Sequence, residues 1–285
     1  MNFERVLIAG ANGQLARQII AQAPQGVECV GLSHGELDIC DAQSIARALE
    51  KVRPNLMVNG AAYNAVDKAE SEGISAALEI NALGVARLAS ACREAKIPLA
   101  HFSTDYVFDG AQESPYSETD RPAPLGVYGA SKLAGENIAL AAHERNWAIR
   151  VCRLFGPDSQ ANFPRLMLKL ARERGRVRVV NDQIGNPSYT PDVARATWQL
   201  LRNSDGGLFQ ICNAGDVSFA DYAREIFQLA NMECEVESVS SQEYNAPARR
   251  PKYAAMSNAK AHACGVEPLR HWREAVREFL SEPAT

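Results

Sequence analysis

Tyr128 and Lys132 are separated by one helical turn in the run Tyr128-Gly-Ala-Ser-Lys132, so a helix would place both side chains on one face. A tyrosine is a weak acid, with an unperturbed pKa of about 10. A neighbouring ammonium favours the phenolate, and we therefore expect Lys132 to lower the pKa of Tyr128. Thr104, within Ser103-Thr104-Asp105, supplies a hydroxyl that would hold the substrate oxygen beside Tyr128. These three residues predict a site that moves a proton to or from an oxygen while hydride moves at the attached carbon.

This spacing is weak evidence alone, because tyrosine and lysine four residues apart also occur on ordinary solvated helix faces. Additional evidence comes from the start of the chain. Arg5–Ala9 is a short apolar run typical of a buried parallel strand. It is followed by Gly10-Ala-Asn-Gly13-Gln-Leu-Ala16, which opens a helical pattern through about Gln22. A glycine turn between a first strand and a helix lets the backbone approach a pyrophosphate, so we favour a nucleotide site over an ordinary tight turn.

Length and composition limit the other possibilities. The chain has 285 residues, of which 46% are hydrophobic and 22% charged, as in ordinary globular proteins. The net charge of −4 gives no reason to expect binding to nucleic acid or to anionic membranes. We expect no membrane span, because no apolar stretch approaches the necessary length, and no signal peptide. The 7 cysteines are scattered without a C-x-x-C pair, which favours reduced thiols and a cytoplasmic location.

Strand and helix patterns alternate along the chain. This alternation predicts an α/β fold with a Rossmann-like, doubly wound parallel sheet. Besides Arg5–Ala9, the predicted strands are Val27–Leu32, Leu56–Asn59, Pro98–Ser103, Ala148–Leu154, Val177–Val180 and Leu208–Cys212. The predicted helices after the first are Asp41–Val52, Ile74–Ala95, Leu125–Arg145, Phe163–Arg174, Thr190–Arg202, Phe219–Ala230 and His271–Leu280.

The strict alternation weakens after about Phe155. We therefore predict a nucleotide-binding domain over residues 1–155, and the family resemblance given below implies that its nucleotide is NAD(P). Residues 156–285 would form mainly a small substrate-binding lobe, with some segments returning to the first domain. Ligands bind at the carboxyl ends of the strands in such sheets. The candidate residues fall there independently: Gly10, Ser33, Asn59 to Ala62, Thr104 and Arg153.

With these residues placed, the chain resembles the extended short-chain dehydrogenases/reductases and, more narrowly, the dTDP-4-dehydrorhamnose reductases. The resemblance covers nearly the whole chain. It rests on Gly10-Ala-Asn-Gly-Gln-Leu15, Glu36-Leu-Asp-Ile39, Asn59-Gly-Ala-Ala-Tyr-Asn-Ala-Val-Asp-Lys-Ala-Glu70, Ser103-Thr-Asp-Tyr-Val-Phe-Asp-Gly110, Tyr128-Gly-Ala-Ser-Lys132, Asp182-Gln-Ile-Gly-Asn-Pro-Ser-Tyr-Thr190 and Arg250-Pro251. It implies a nucleotide-sugar substrate and reduction of the 4-keto group of a nucleotide-activated 6-deoxyhexose.

The resemblance also assigns expected roles. Thr104 would orient the ketone, Tyr128 would donate the proton, and Lys132 would tune Tyr128 and bind the nicotinamide ribose. The expected cofactor-binding residues are Gly10, Asn12, Gly13, Gln14, Leu15, Ser33, Asp38, Ile39, Ala61, Ala62, Tyr63, Asn81, Tyr128 and Lys132. Asn81 matches a position that kinks its helix and supports a proton-relay water, although an ordinary helix-surface amide is the alternative.

The expected substrate-binding residues are Thr104, Asp105, Tyr128, Arg153, Arg249 and Arg250. Arg153 stands where relatives have a sugar-facing tryptophan, and it offers planar donors in place of an apolar face. An ion pair at the strand end is the alternative for Arg153. Arg249 and Arg250 would clamp a diphosphate by forked hydrogen bonds, or they form a solvated basic pair. Gln18 replaces a glutamate with which some relatives bind a metal, so we expect no metal site.

The cofactor preference is less determined by the sequence. Strand two ends Gly31-Leu32-Ser33-His34, without the carboxylate that normally binds the ribose of NAD. Glu36 and Asp38 lie farther on, and either one turning back would favour NAD. We expect NADPH to be preferred modestly and NADH to be accepted.

Two alternatives to the reductase remain open. One is a reductase or epimerase that acts on a different nucleotide sugar. The other is a non-catalytic regulatory subunit like the beta subunit of methionine adenosyltransferase, which shares this fold. A homodimer is a further expectation. His101 lies in an apolar strand, and we expect it to be a core or strand-end histidine and not a catalytic one.

Overall fold

This computed structural model describes residues 3–159 and 161–281. Its strands are β1 (Arg5–Ala9), β2 (Glu28–Leu32), β3 (Leu56–Asn59), β4 (Leu99–Thr104), β5 (Trp147–Val151), β6 (Leu154–Phe155), β7 (Arg176–Val180), β8 (Ile184–Gly185), β9 (Ser188–Tyr189), β10 (Gly207–Gln210), β11 (Val217–Ser218) and β12 (Glu235–Val239). Its helices are α1 (Gln14–Ala21), α2 (Ala42–Val52), α3 (Ile74–Leu78), α4 (Val85–Glu94), α5 (Val127–Ala142), α6 (Phe163–Arg174), α7 (Thr190–Asn203), α8 (Phe219–Leu229), α9 (Ser241–Tyr244), α10 (Ala259–Ala263) and α11 (Trp272–Ser281).

A six-stranded parallel sheet, in the order β10-β5-β4-β3-β1-β2, forms the centre of the molecule. The chain builds outward from β1 to β2 on one side and from β3 onward on the other. The reversal lies between β1 and β3, where a crevice opens at the carboxyl ends of the strands. The predicted doubly wound parallel sheet is confirmed.

Helices cover both faces of the sheet. On one face α1 and α7 contribute Leu15, Ile19 and Leu200 to a core with the β1 and β5 side chains. On the other face α2, α4 and α5 pack a second core that includes Ile45 and Leu88. Burial on both faces explains why the strands are continuous apolar runs in the sequence.

The predicted strand Ala148–Leu154 is wrong in its second half. β5 ends at Val151, and Arg153 adopts a positive φ of 43°. The chain leaves the sheet there, and the short strand β6 pairs with β9 in the smaller lobe. That lobe has its own aromatic core, in which Phe155, Tyr222 and Trp272 are buried. β10 returns to the edge of the main sheet beside β5. The boundary at residues 155/156 stays a prediction.

The predicted helix Ile74–Ala95 is continuous but irregular, because its middle, Glu79–Gly84, is π-helical. By length and composition alone, the run Ile74–Glu94 would be long enough to cross a membrane, because it has 21 residues and contains an 18-residue window with a mean hydropathy of 1.2. The expectation that no apolar stretch approaches that length is therefore wrong. One face of this run packs into the core through Leu88 and Cys92.

Most other boundaries differ from the predictions by one to three residues, which is usual at fraying ends. The short strands β8, β9 and β11 were missed, because two residues carry no periodic pattern. β12 pairs with β7 in parallel, and its first residue, Glu235, is solvent-exposed.

Candidate active site

The glycine turn after β1 brings two chain segments into close contact. Gly10 has a φ of +73°, and a Cβ there would lie 2.7 Å from the backbone nitrogen of Ala61. The Gly13 amide donates to the Gly10 carbonyl at 2.9 Å. Helix α1 then begins at Gln14, and its N-cap Gly13 offers no side-chain cap. The first-turn amides of α1 are thus left for a ligand, and the positive end of the helix favours an anionic one.

A cleft of about 500 Å³ opens at this point, along the carboxyl ends of β1, β3 and β4. Its lining includes ten residues predicted for the site: Gly13, Gln14, Leu15, Ala61, Ala62, Thr104, Asp105, Tyr128, Lys132 and Arg153. The structure therefore brings the glycine turn and the Thr-Tyr-Lys set to one cavity. Their spacing in the sequence, more than 110 residues from Gly13 to Tyr128, is bridged by the parallel sheet.

Thr104 and Asp105 form a buried pair at the end of β4. The Thr104 hydroxyl donates to Asp105 Oδ1 at 3.0 Å and accepts from the Tyr106 amide at 3.2 Å. Asp105 Oδ2 accepts from the Cys152 thiol at 3.1 Å. Burial raises the pKa of Asp105 above its ordinary value, although the Cys152 and Thr104 hydrogen bonds oppose this. Because its proton points toward Asp105, Thr104 presents an acceptor oxygen to the cleft.

Tyr128 is half-buried near the start of α5. Its hydroxyl lies 3.5 Å from Asn64 Oδ1, and its ring meets Tyr106 edge-on at 5.6 Å. Burial raises the pKa of Tyr128 above its ordinary value. The Asp105 charge adds to this rise, and a hydrogen bond with Thr104 opposes it. The net shift is upward and not the predicted lowering, because desolvation of the phenolate outweighs the other influences.

Lys132 is buried at 3% exposure, and its ammonium donates to the Phe102 carbonyl at 2.6 Å. Burial lowers the pKa of Lys132 to about 8, while the charge of Glu136 opposes the change. The ammonium is thus directed at the β4 backbone, and a fraction of the Lys132 side chains is uncharged at neutral pH.

Asn81 lies in the π-helical segment and is 1% exposed. Its amide oxygen accepts from the Tyr63 amide at 2.9 Å, and its nitrogen donates to the Tyr63 carbonyl at 3.1 Å and to Ser131 Oγ at 3.0 Å. The surface-amide alternative is wrong. Asn81 joins the segment after β3 to the helix that carries Tyr128, and its part in a proton relay stays a prediction.

Several predicted cofactor residues lie outside the cleft lining. Of the two carboxylates that could turn back toward the end of β2, Glu36 does so and accepts from the Ser33 hydroxyl at 2.7 Å and the Ser33 amide at 2.9 Å. These bonds lower the pKa of Glu36. Asp38 accepts from the Cys40 amide, and Ile39 is buried. Asn12 is exposed at the glycine turn. Their contacts with a cofactor stay predictions.

Arg153 reaches the cleft, but its guanidinium is occupied by the smaller lobe. It donates to the Val217 carbonyl at 2.8 Å and to the Gln183 carbonyl at 2.9 Å, and it lies 3.9 Å from the centre of the Phe219 ring. These contacts replace the ion-pair alternative and join the two parts of the molecule. A substrate contact by Arg153 stays a prediction.

The guanidinium of Arg250 is already bound by a carboxylate of the protein. Its two terminal nitrogens bind the two carboxylate oxygens of Asp67 at 2.9 and 3.0 Å. Arg249 is exposed and lines a small cavity that Tyr128 also borders. The nearby carboxylate of Asp67 satisfies Arg250 within the protein, so a diphosphate clamp by this pair stays a prediction.

Sequence reasoning missed several cleft residues. Asn64 and Tyr106 contact Tyr128, and Phe163, Phe219 and Tyr222 from the smaller lobe close the far wall. Asn64 and Tyr106 lie in quoted stretches next to predicted residues, so their position was a usable signal. The three aromatic residues of the far wall carried no such signal, because in the sequence they cannot be distinguished from ordinary core residues.

His101 is fully buried, as expected for a core histidine, and its Nδ1 lies 3.1 Å from Asn59 Nδ2.

Gln18, which stands where some relatives have a metal-binding glutamate, donates to Asp158 at 2.6 Å. Residues 3–159 and 161–281 contain no group of three or more histidine, cysteine, aspartate or glutamate residues placed to bind a metal.

The fold and the cleft define a nucleotide-binding oxidoreductase of the short-chain dehydrogenase/reductase class, and the comparisons agree. A family model described as the RmlD substrate binding domain matches residues 4–284. A dTDP-4-dehydrorhamnose reductase of Mycobacterium tuberculosis is 39% identical over 99% of this chain and 94% of its own length. The spore coat polysaccharide biosynthesis protein SpsK of Bacillus subtilis is 36% identical over 98% of this chain and 97% of its own.

Among solved structures, dTDP-4-dehydrorhamnose reductase from Bacillus anthracis, determined with NADP, superposes with a TM-score of 0.94 at 34% identity, covering 98% of this chain and 99% of that one. The chain belongs to the dTDP-4-dehydrorhamnose reductase family.

Proposed function

We propose that this protein reduces the 4-keto group of a nucleotide-activated 6-deoxyhexose with NADPH, converting dTDP-4-dehydro-L-rhamnose to dTDP-L-rhamnose. The observation that carries the proposal is the meeting of Thr104, Tyr128 and Lys132 with the glycine turn in one cleft. Full-length similarity to named dTDP-4-dehydrorhamnose reductases supports the substrate.

The residues present fit a dinucleotide cofactor. The uncapped amides at the start of α1 would hold the pyrophosphate, and Gly10 keeps that segment against Ala61. Gln14 Oε1 is a buried acceptor without a partner among the described residues, and it lies in the same cleft lining. When bound, the nicotinamide supplies hydride to the carbonyl carbon.

Tyr128 is the proton donor in this proposal. Its raised pKa keeps the hydroxyl protonated at neutral pH. An alkoxide that develops on the sugar is a stronger base than a phenolate, so proton transfer to it is favourable. Thr104 lines the same cleft as Tyr128 and would orient the substrate oxygen there, and the Lys132 ammonium would stabilise the phenolate left behind.

Two observations bear on the cofactor preference, and they oppose each other. The negatively charged Glu36 carboxylate accepts the hydrogen bond of the Ser33 hydroxyl. This carboxylate repels a ribose 2′-phosphate and can accept a hydrogen bond from a ribose hydroxyl. The NADP bound by the Bacillus anthracis relative supports NADPH for this chain. We therefore propose a modest preference for NADPH with NADH also accepted.

The test is incubation of the purified protein with dTDP-4-keto-6-deoxy-L-mannose and NADPH, with NMR analysis of the product. Stoichiometric loss of NADPH and appearance of dTDP-L-rhamnose are expected. An epimerase would recycle the cofactor, and a regulatory subunit would consume none, so either result refutes the proposal.

The Tyr128→Phe variant tests the assigned proton donor. We expect turnover to fall by about 10²–10⁴-fold while the cofactor Kd and the melting temperature stay near wild-type values. Tyr244→Phe is the matched control, because Tyr244 is 56% exposed on α9. Retention of more than about half of the turnover in Tyr128→Phe, with chemistry rate-limiting, would exclude the role. The homodimer and the cytoplasmic location also stay predictions.

A further inference from the structure

A buried ion pair joins the catalytic helix to the sheet behind the cleft. Glu136 on α5 and Arg150 on β5 are each 1% exposed, and their side chains form a forked pair with distances of 2.9 and 2.6 Å. The guanidinium also lies 4.9 Å from the centre of the Phe108 ring. Neither residue lines the cleft.

Stability alone is a poor reason for such a pair. Removing two charges from water costs free energy, and well-packed apolar residues at the same place are often as stabilising or more so. The Arg150 Nη1 atom also has no partner among the described residues, so the pair is not even fully satisfied. This points to a role of the charges themselves.

The position of Glu136 indicates that role. It follows Lys132 by four residues on α5, so both side chains lie on the same buried face of the helix. Lys132 is 3% exposed, and the Phe102 carbonyl that accepts from its ammonium is neutral. A buried ammonium is disfavoured unless an opposite charge faces it.

The elements packed against α5 carry other charged or titratable side chains. These are His101 on β4, Asp105 and Tyr106 directly after β4, Arg150 on β5, Lys68 and Glu70 after β3, and Glu79, Arg87, Arg93 and Glu94 on the helical run 74–94. Burial and Lys132 itself hold the pKa of His101 well below its ordinary value, so this histidine is neutral. Glu70 accepts from the Val127 amide at the start of α5, and Glu79 pairs with Arg87. Among these groups, Glu136 opposes the loss of charge on Lys132.

We propose that Glu136, held in place by Arg150, is a positioning residue for catalysis that keeps the Lys132 side chain cationic. The proposal rests on the proposed function only in naming the reaction that Lys132 serves. Arg150 fixes the Glu136 carboxylate from the sheet, so a buried negative charge is held one helical turn from Lys132. Arg150, Glu136 and Lys132 are all buried, and along α5 Glu136 lies one helical turn from Lys132, which lies one turn from Tyr128.

The first measurement needs neither substrate nor cofactor. Competitive trace acetylation of the full-length protein, read by mass spectrometry across pH, gives the titration midpoint of the Lys132 amine. The wild-type midpoint is expected near the pKa of about 8. In Glu136→Gln we expect it to fall by about half a unit or more, because the opposing charge is removed. At pH 7 this raises Lys132 labelling about two- to threefold.

Asp192→Asn is the matched control, since Asp192 on α7 is a buried carboxylate paired with Arg195 and Arg270, and α7 packs on the opposite face of the sheet from α5. It removes a buried charge of the same kind and should leave the Lys132 midpoint at the wild-type value. Should Glu136→Gln fail to fold because Arg150 is left unpaired, the double variant Glu136→Gln/Arg150→Met removes both charges and is measured in the same way.

The second measurement is the pH profile of kcat/KM. In Glu136→Gln the alkaline limb should move to lower pH by the same amount as the labelling midpoint, and Glu136→Asp should restore part of the shift. A uniform loss of activity at all pH values, or a labelling midpoint equal to that of the wild type, would overturn the proposal. Because labelling is independent of turnover, an inactive protein with a shifted midpoint would refute the reductase assignment and leave the lysine–glutamate coupling standing.

Discussion

Replacing Asn81 with alanine removes three hydrogen bonds from a buried site. The Asn81 side chain accepts from the Tyr63 amide, and it donates to the Tyr63 carbonyl and to the Ser131 hydroxyl. Each such bond contributes about 1 kcal/mol net, and a water that enters the space recovers part of the loss. We therefore expect the free energy of unfolding to fall by about 2–3 kcal/mol, which lowers the melting temperature of a chain of this size by roughly 5–10 °C.

Denaturant unfolding followed by circular dichroism measures this loss. Asn137→Ala is the control, because Asn137 is an exposed asparagine on α5 and surface substitutions usually change stability by less than about 0.5 kcal/mol. Asn81→Asp keeps an acceptor for the Tyr63 amide but removes both donors, so it should be at least as unstable as Asn81→Ala. A loss in Asn81→Ala below about 1 kcal/mol, or no larger than that of Asn137→Ala, would refute the bridging role of Asn81.

Two further predictions concern pH. The Arg250 hydrogen bond lowers the pKa of Asp67, so this pair stabilises the fold at neutral pH and its contribution is lost as the pH falls below about 4. Asp67 is 45% exposed in its side chain, and Asp67→Asn should cost no more than about 1 kcal/mol at pH 7, a difference that disappears near pH 2–3 in denaturant titrations. His101 stays neutral in the fold, whereas the unfolded chain takes up a proton below about pH 6.5, so stability should decline below that pH by up to about 1.4 kcal/mol per unit. His101→Gln keeps an acceptor for Asn59 and should flatten that decline between pH 6.5 and 5; identical pH dependence in both proteins would contradict it.

The central sheet was predictable because its inner strands β1, β3, β4 and β5 are buried on both faces and the strands alternate with helical patterns along the chain. The glycine turn and the Tyr128–Lys132 spacing were predictable because both are local. The strand predicted through Leu154 was wrong in its second half, since the apolar character continues past Val151 while the backbone turns away at Arg153. An apolar run in the sequence indicates that its residues are buried. Here the buried residues continue from Val151 in the core of the main sheet to Phe155 in the core of the smaller lobe.

The sequence by itself determined the fold class and ten of the residues that meet in the cleft, because these depend on local patterns and on the rule that ligands bind at the carboxyl ends of parallel strands. Only the tertiary structure decided what the charged side chains do. Arg250 is 183 residues from Asp67, and Arg153 binds carbonyls 30 and 64 residues away. The tyrosine pKa was likewise decided by burial and by Asp105, and not by the lysine one turn away. Charge pairing and desolvation depend on distances in space, which the spacing of residues along a chain does not specify.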